Sequence, residues 1–222
     1  MSDKIIAQVA SLPAREESLE RMVNTILPQV DMLFVALNSY DHVPAFLDNN
    51  KKIVHALMDN SLGDAAKFYD VDQRHGYVLT CDDDLYYPEG YVGYMVDGVK
   101  RHGGAVSLLG KQYDNRPIPS FRGGYTKLYR CLGSVSNDVV VDVCGTGAMA
   151  FHTDSIKISV DDFPEPNMAD IWFAKAAYEQ DVKLTVLAHP QRYVGHKKFP
   201  WRIWTHSFRA EYQTEIMNSF LK

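Results

Sequence analysis

Apolar and polar positions alternate in blocks along the first hundred residues. "KIIAQVA" (4–10) is a short apolar run closed by Ser11. Behind it Leu19, Met22, Val23, Ile26 and Leu27 recur at helical spacing, and Glu16 and Glu17 fall in the first turn, where the helix dipole favours acids. The chain therefore opens strand, loop, helix. "DMLFVAL" (31–37) predicts a second buried strand ending in the turn formers "NSYDHVP", and "KIVHALM" (52–58) a third. The third runs into "NSLGDAAKFY", where Gly63 and Asp64 read as loop and cap of a short helix. "GYVLTC" (76–81) is a fourth strand, and Pro88 suits the first position of a helix over 88–103. "GAVSLLG" (104–110) reads as a fifth.

Residues 111–138 have no clear period and many loop formers, and a loop that long is uncommon unless it is functional. "VVVDVCG" and "AMAFH" predict strands flanking "GTG", residues 167–180 a helix, and "KLTVLA" (183–188) a last strand. Strands alternating with helices imply a three-layer α/β/α sandwich on a mostly parallel, mixed sheet. In such sheets ligands bind at the carboxyl ends of the strands. "SLPAR", "NSYD", "NSLGDAAK" and "CDDD" all fall there, outlining a site that includes Asn38 and Asp64.

Asp82, Asp83 and Asp84 follow a buried strand. Crowded like charges raise one another's pKa, so the cluster is costly unless a cation or hydrogen-bond donors face it. Side chains alternate along a strand, which puts Asp82 and Asp84 on one face and leaves Asp83 for a backbone or loop partner on the other. Two carboxylates on one face suit a hard divalent ion, Mg²⁺ or Mn²⁺, bridging a diphosphate; a solvated acidic turn is the plain alternative. Ser11 and Arg15 can contact a nucleotide, since guanidinium matches phosphate geometry. Lys67 can reach a base or ribose, or be a solvated helix lysine. Asp170, among Ile171, Trp172 and Phe173, is either a helix cap or a base at a pocket's edge. His152 reads as a strand-end histidine.

The tail from 189 carries His189, Arg192, His196, Lys197 and Lys198 among Tyr193, Phe199, Trp201 and Trp204. Cations with aromatics can bind nucleic acid, but a net charge of −5 favours neutralising one diphosphate, with a histidine completing the metal shell. At 222 residues a single domain is expected. With 46% hydrophobic and 23% charged residues, neither disorder nor a fibrous repeat is indicated. Cys81, Cys131 and Cys144 lack CxxC spacing and read as reduced thiols. No stretch reaches the roughly 18 apolar residues of a membrane span and the start lacks a secretory pattern, so a cytoplasmic protein is expected.

Together these residues resemble a GT-A glycosyltransferase, the nucleotide-sugar-dependent class with a DxD motif, and in particular small bacterial and large-algal-virus enzymes with "DDD", "GTG" and "NMADIW" blocks. The resemblance runs from about residue 4 to 216. It implies a Rossmann-like nucleotide-sugar half (1–110), an acceptor-side half with the tail (111–222), and transfer of a sugar from a donor such as a UDP-sugar to a glycan or other hydroxyl acceptor with Mn²⁺ or Mg²⁺. It further implies donor contacts from Ser11, Arg15, Asn38, Asp64, Lys67, Asp82, Asp83, Arg192 and Lys198. Asp84, Asp82 and His196 would serve the metal, and Asp170 the acceptor as base. Tyr113, Phe121, Tyr125 and Tyr129 suggest an aromatic acceptor lid. "GHKKFPW" is similar to a retaining-family tail, yet Arg192 stands where that motif has its metal histidine; Ala169 replaces the Glu that many inverting enzymes carry before the catalytic Asp. The stereochemistry stays open. A sugar-nucleotide pyrophosphorylase shares the layout, although "ASLPARE" lacks that class's glycines, and a non-catalytic sugar-nucleotide-binding module is the third reading. A place as one domain of a larger multidomain enzyme is a further expectation.

Overall fold

The computed structural model describes residues 3–48, 50–199 and 210–222. Trp201 and Trp204 of the tail lie outside them. The four opening strands appear within a residue or so of expectation: β1 (Lys4–Ser11), β2 (Met32–Asn38), β3 (Ile53–Met58) and β4 (Gly76–Asp82). Helix α1 (Glu16–Ile26) follows β1 and buries Leu19, Met22, Val23 and Ile26, the positions its spacing marks. "GDAAKF" is a 3₁₀ turn, Gly63–Phe68, whose first residue takes φ +54°.

Downstream, β5 (Leu85–Tyr86) leads to α2 (Tyr91–His102). This helix starts three residues beyond Pro88, because Gly90 adopts a left-handed φ of 79° and the Tyr91 amide closes a turn on the Pro88 carbonyl at 3.1 Å. The expected fifth strand is two. β6 (Ala105–Ser107) stays in the main sheet, while β7 (Gly110–Gln112) leaves it. There follow β8 (Lys127–Tyr129), β9 (Val139–Val141), β10 (Val143–Cys144), β11 (Ala148–His152), α3 (Ala169–Glu179), β12 (Leu184–Val186), β13 (Gly195–His196) and α4 (Ala210–Phe220).

The main sheet has the order β3-β2-β1-β4-β11-β6-β12-β9. β11 and β9 run against the rest, so the sheet is mixed and mostly parallel. One face buries Ala7, Val9, Leu33, Val35 and Leu79 with α1 and α2. The other packs Val78, Met149 and Phe151 under α3 and α4 through Phe173, Ile216 and Met217. These are the three layers that the alternation predicts.

Two expectations change. β3 is not a buried strand: it is the sheet's edge, and Val54 and Leu57 are 42% and 50% exposed. An apolar run records hydrophobicity; coverage is decided by whatever lies beyond it. The 111–138 segment also contains structure, since β7 pairs with both β8 and β10 in a second, antiparallel sheet. Its aromatics face inward. Tyr113, Phe121 and Tyr129 are core residues at 8% exposure or less and Tyr125 packs against them, so their faces are spent on the core and offer a sugar ring no lid.

Candidate active site

The chain leaves β1 for β2 and β3 on one side, then crosses to β4 on the other. Loops from the carboxyl ends of β1 and β4 therefore diverge, which in an open α/β sheet makes a binding crevice. A cavity of about 410 Å³ opens there, lined by Ser11, Arg15, Asn38, Asp64, Lys67, Asp82, Asp83, Asp84, His196 and Lys198 among others. Ten of the twelve residues that the sequence nominates thus share one wall. Arg192 and Asp170 do not line it. Arg192 is exposed in a tight turn at φ +56°, its amide on the Leu132 carbonyl at 3.2 Å.

The three acids separate by partner. β4 ends at Asp82, and Asp83 and Asp84 turn into β5. Asp83 is buried, accepting at 2.6 Å from Ser11 Oγ on one oxygen and at 2.6 Å from Arg15 Nη1 on the other. Burial holds its carboxyl above the usual range against the pull of Arg15. Ser11 and Arg15 are therefore committed first to Asp83. Asp82 accepts from Lys67 Nζ at 2.6 Å. Its other oxygen presses on Gly147, where a Cβ would come within 2.0 Å of Oδ2. The Gly147 carbonyl in turn accepts from the Asp82 amide at 2.9 Å and from Tyr87 Oη at 2.8 Å. Only glycine fits between them.

Lys67 is not a solvated helix lysine. It is 3% exposed, and although burial opposes its charge, Asp82 and Asp64 outweigh that and raise its pKa. Asp64 Oδ2 takes a long 3.4 Å bond from the Ala169 amide, while Oδ1 is buried without a hydrogen bond. Burial lifts this carboxyl to about 6, with Lys67 pulling the other way. Asn38 donates to the Gly63 carbonyl at 2.9 Å and keeps a buried, unbonded Oδ1. Asp84 lies 3.6 Å from Arg15 and 3.7 Å from His196 Nε2, and its carbonyl accepts from the Lys197 amide at 2.9 Å. Burial, then repulsion from Asp82 and Asp83, pushes it up to about 7.

Asp170 sits in the first turn of α3 yet makes no cap bond. Its Oδ1 accepts instead from the amide and the hydroxyl of Thr146 in "GTG", both at 2.8 Å. That tie fixes Asp170 to the loop beside Asp82 in place of a cap bond. Sequence reasoning missed Thr146 as its holder and Lys111, a half-buried amine within the field of Asp170, lowered to about 8 by burial and anchored on the Phe121 carbonyl at 3.1 Å. Cys131, Leu132, Asn60 and Asn167 also line the cavity, and nothing in their sequence spacing announces it. Among the tail residues Lys198 lines the cavity, whereas Lys197 Nζ pairs with Glu17 at 2.6 Å. His189 is buried, with Nε2 3.1 Å from the Leu108 carbonyl. His152 lies opposite Tyr77, near the amino end of β4 and away from the crevice. Among the described residues no group of three His, Cys, Asp or Glu side chains is placed to hold a metal ion, and no helix is long and apolar enough to cross a membrane.

No protein-family model and no curated protein matches the chain. Solved structures do. S. aureus TarS 1–349 in complex with UDP-GlcNAc superposes with a TM-score of 0.58 at 15% identity, covering 92% of this chain and 61% of that one. Uncomplexed S. aureus TarS 1–349 gives 0.54 at 13%, covering 85% and 59%. The 4-diphosphocytidyl-2C-methyl-D-erythritol synthase of Anaerococcus prevotii gives 0.56 at 14%, covering 98% and 96%. The chain has the GT-A-like α/β fold of these structures, and spans about three fifths of the TarS chain.

Proposed function

We propose that the protein is a glycosyltransferase that takes a sugar from a nucleoside-diphosphate donor, a UDP-sugar, and passes it to a hydroxyl of a carbohydrate or glycoconjugate acceptor. The observation that carries this reading is the crowding of Asp64, Asp82, Asp83 and Asp84 at the switch-point cavity, where among the described residues Arg15 and Lys67 make the short ion pairs, both at 2.6 Å. The surplus of acid suits a site completed by a divalent cation and its diphosphate. S. aureus TarS, with the same fold, is seen in complex with UDP-GlcNAc.

Mn²⁺ or Mg²⁺ fits Asp84 and His196, whose Oδ2 and Nε2 lie 3.7 Å apart on the cavity wall. Asp82, with Oδ1 taken by Lys67 and Oδ2 crowded against Gly147, is a poorer ligand than its place in the motif implies. Mg²⁺-type ions keep several positions for water and phosphate, so two protein ligands suffice. When bound, the ion supplies Lewis-acid stabilisation of charge on the leaving diphosphate.

The chain's own residues do the rest. Asp82, locked by Lys67, faces the donor's ribose or sugar, and the unbonded Asn38 Oδ1 and Asp64 Oδ1 present acceptors to the nucleoside. Lys198 adds charge against the diphosphate. As the sugar C1–O bond breaks toward the diphosphate, the acceptor oxygen bonds C1 and its proton passes to Asp170, held through Oδ1 by Thr146. That is an inverting transfer, checked by the anomeric configuration of the product. The decisive test is UDP release from UDP-sugars with Mn²⁺, which should vanish in Asp84→Ala; intact metal affinity and turnover in that variant would overturn the assignment.

A nucleotidyltransferase is the second reading, favoured by the near end-to-end match to the Anaerococcus synthase. Incubation with a sugar 1-phosphate and UTP or CTP separates the two. Pyrophosphate release without sugar transfer selects this second reading.

A further inference from the structure

β3 is an open edge whose free groups are arranged to receive a particular neighbour. The Leu33 amide bonds the Lys52 carbonyl and the Ser39 amide that of Met58, so the backbones of residues 52, 54, 56 and 58 turn toward β2. By alternation the amides and carbonyls of His55 and Leu57, with the Ile53 carbonyl, point outward; the Ile53 amide is taken by Asn50. Val54 and Leu57 are two of the most exposed large apolar residues among those described. Lys52 does not guard this edge, since its Nζ reaches back to the Val30 carbonyl at 2.8 Å.

We infer that a second copy of this chain docks here, β3 to β3, antiparallel about a two-fold axis normal to the sheet, to form one continuous sheet. Such an axis keeps each face of the sheet on its own side, so directly opposed residues must share parity. One register pairs all three outward-facing positions: His55 opposite His55 of the second copy, with Ile53 opposite Leu57. That register lets the outward amides of His55 and Leu57 bond outward carbonyls of the other copy. It also places Val54 against Ala56 and covers both exposed apolar side chains.

The flanks agree with this register. It sets Lys51 opposite Asp59 at both ends, and both side chains are exposed. Asp59 is held below the usual carboxylate range by hydrogen bonds from Ser61, so it is charged at neutral pH. Shifting the register by two residues loses one outward pair and the charge match. Because the strands are antiparallel, the carboxyl ends of one sheet adjoin the amino ends of the other. The two cavities therefore open in opposite directions, and one acceptor surface can serve only one of them at a time.

Sedimentation velocity of the full chain, from low to high micromolar concentration, tests this. A dimer should grow with concentration. Lys51→Glu should weaken it about tenfold through like charges at both ends, and the Lys51→Glu/Asp59→Lys exchange should restore it. His55→Pro removes two outward amides without touching a bond to β2, and should leave a monomer with unchanged circular dichroism. A wild-type monomer at every concentration overturns the inference. So does a dimer indifferent to both Lys51→Glu and His55→Pro, or an exchange variant that fails to recover. The Lys51 variants stand independently of whether His55→Pro folds.

Discussion

Lys67 Nζ donates to Asp82 Oδ1 at 2.6 Å, joining a 3₁₀ turn beyond β3 to the last residue of β4. The lysine side chain is 4% exposed and the aspartate 46%. The pair thus presents one carboxylate, fixed in place, to the cavity while its partner stays inside. Lys67→Met should leave Asp82 free to turn. Losing a partner from a fully buried pair costs about 3–5 kcal/mol, and solvent screening of Asp82 reduces this to about 1–3. Chemical denaturation measures that loss. Isothermal titration should show weaker nucleotide-sugar binding.

Gly147 controls the same carboxylate from the other side. A Cβ there would stand 2.0 Å from Asp82 Oδ2, and the backbone behind it is pinned by Tyr87. Gly147→Ala should therefore displace Asp82 and lower kcat/KM roughly 10²-fold, the scale of an ångström-sized misplacement. Steady-state kinetics with the wild-type donor checks it. Unchanged kinetics would remove Asp82 from the donor site.

Asp83 and Asp84 should fail in different ways. Asp83→Ala takes from Arg15 its 2.6 Å partner, leaving the 3.6 Å contact with Asp84, and should lower stability by about 1–3 kcal/mol. Asp84→Ala relieves a crowded carboxylate and should keep or raise the melting temperature while abolishing metal-dependent turnover. Melting curves and activity, measured on both variants, separate the structural acid from the functional one.

Stability should depend on pH through Asp64. Its folded pKa of about 6 exceeds the unfolded 3.8, so the folded state holds the proton more tightly between those values. Stability from this group is greatest below about pH 4 and falls as pH rises to about 6, a loss on the order of 3 kcal/mol. Asp64→Asn should therefore gain most over wild type at pH 8 and little at pH 4. Melting temperatures at the two values test the sign.

Asp170→Asn keeps an oxygen for Thr146 but cannot take a proton. Transfer should drop by about 10²–10⁴-fold with donor affinity unchanged, since Asp170 does not line the donor cavity. Burst kinetics and donor titration together distinguish this from a folding defect.

How much of this the chain announces depends on how local the cause is. The strand order of events, α1's buried stripe and the gathering of "SLPAR", "NSYD", "GDAAK" and "CDDD" at one sheet edge follow from periodicities of two and 3.6 and from where ligands bind in parallel sheets. Those are short-range or topological rules, and a sequence carries them openly. Asp82, Asp83 and Asp84 are adjacent there and look equivalent but for parity. The fold separates them, because Lys67, the Ser11–Arg15 pair and His196 arrive from distant segments, each at a different carboxylate. The same holds where expectation failed. β3 and the 111–129 aromatics have ordinary apolar patterns, and only their neighbours in space decided that one edge stays bare and the other rings are buried. Burial and pairing are set by which distant segments a residue meets, and no local pattern in the chain records that.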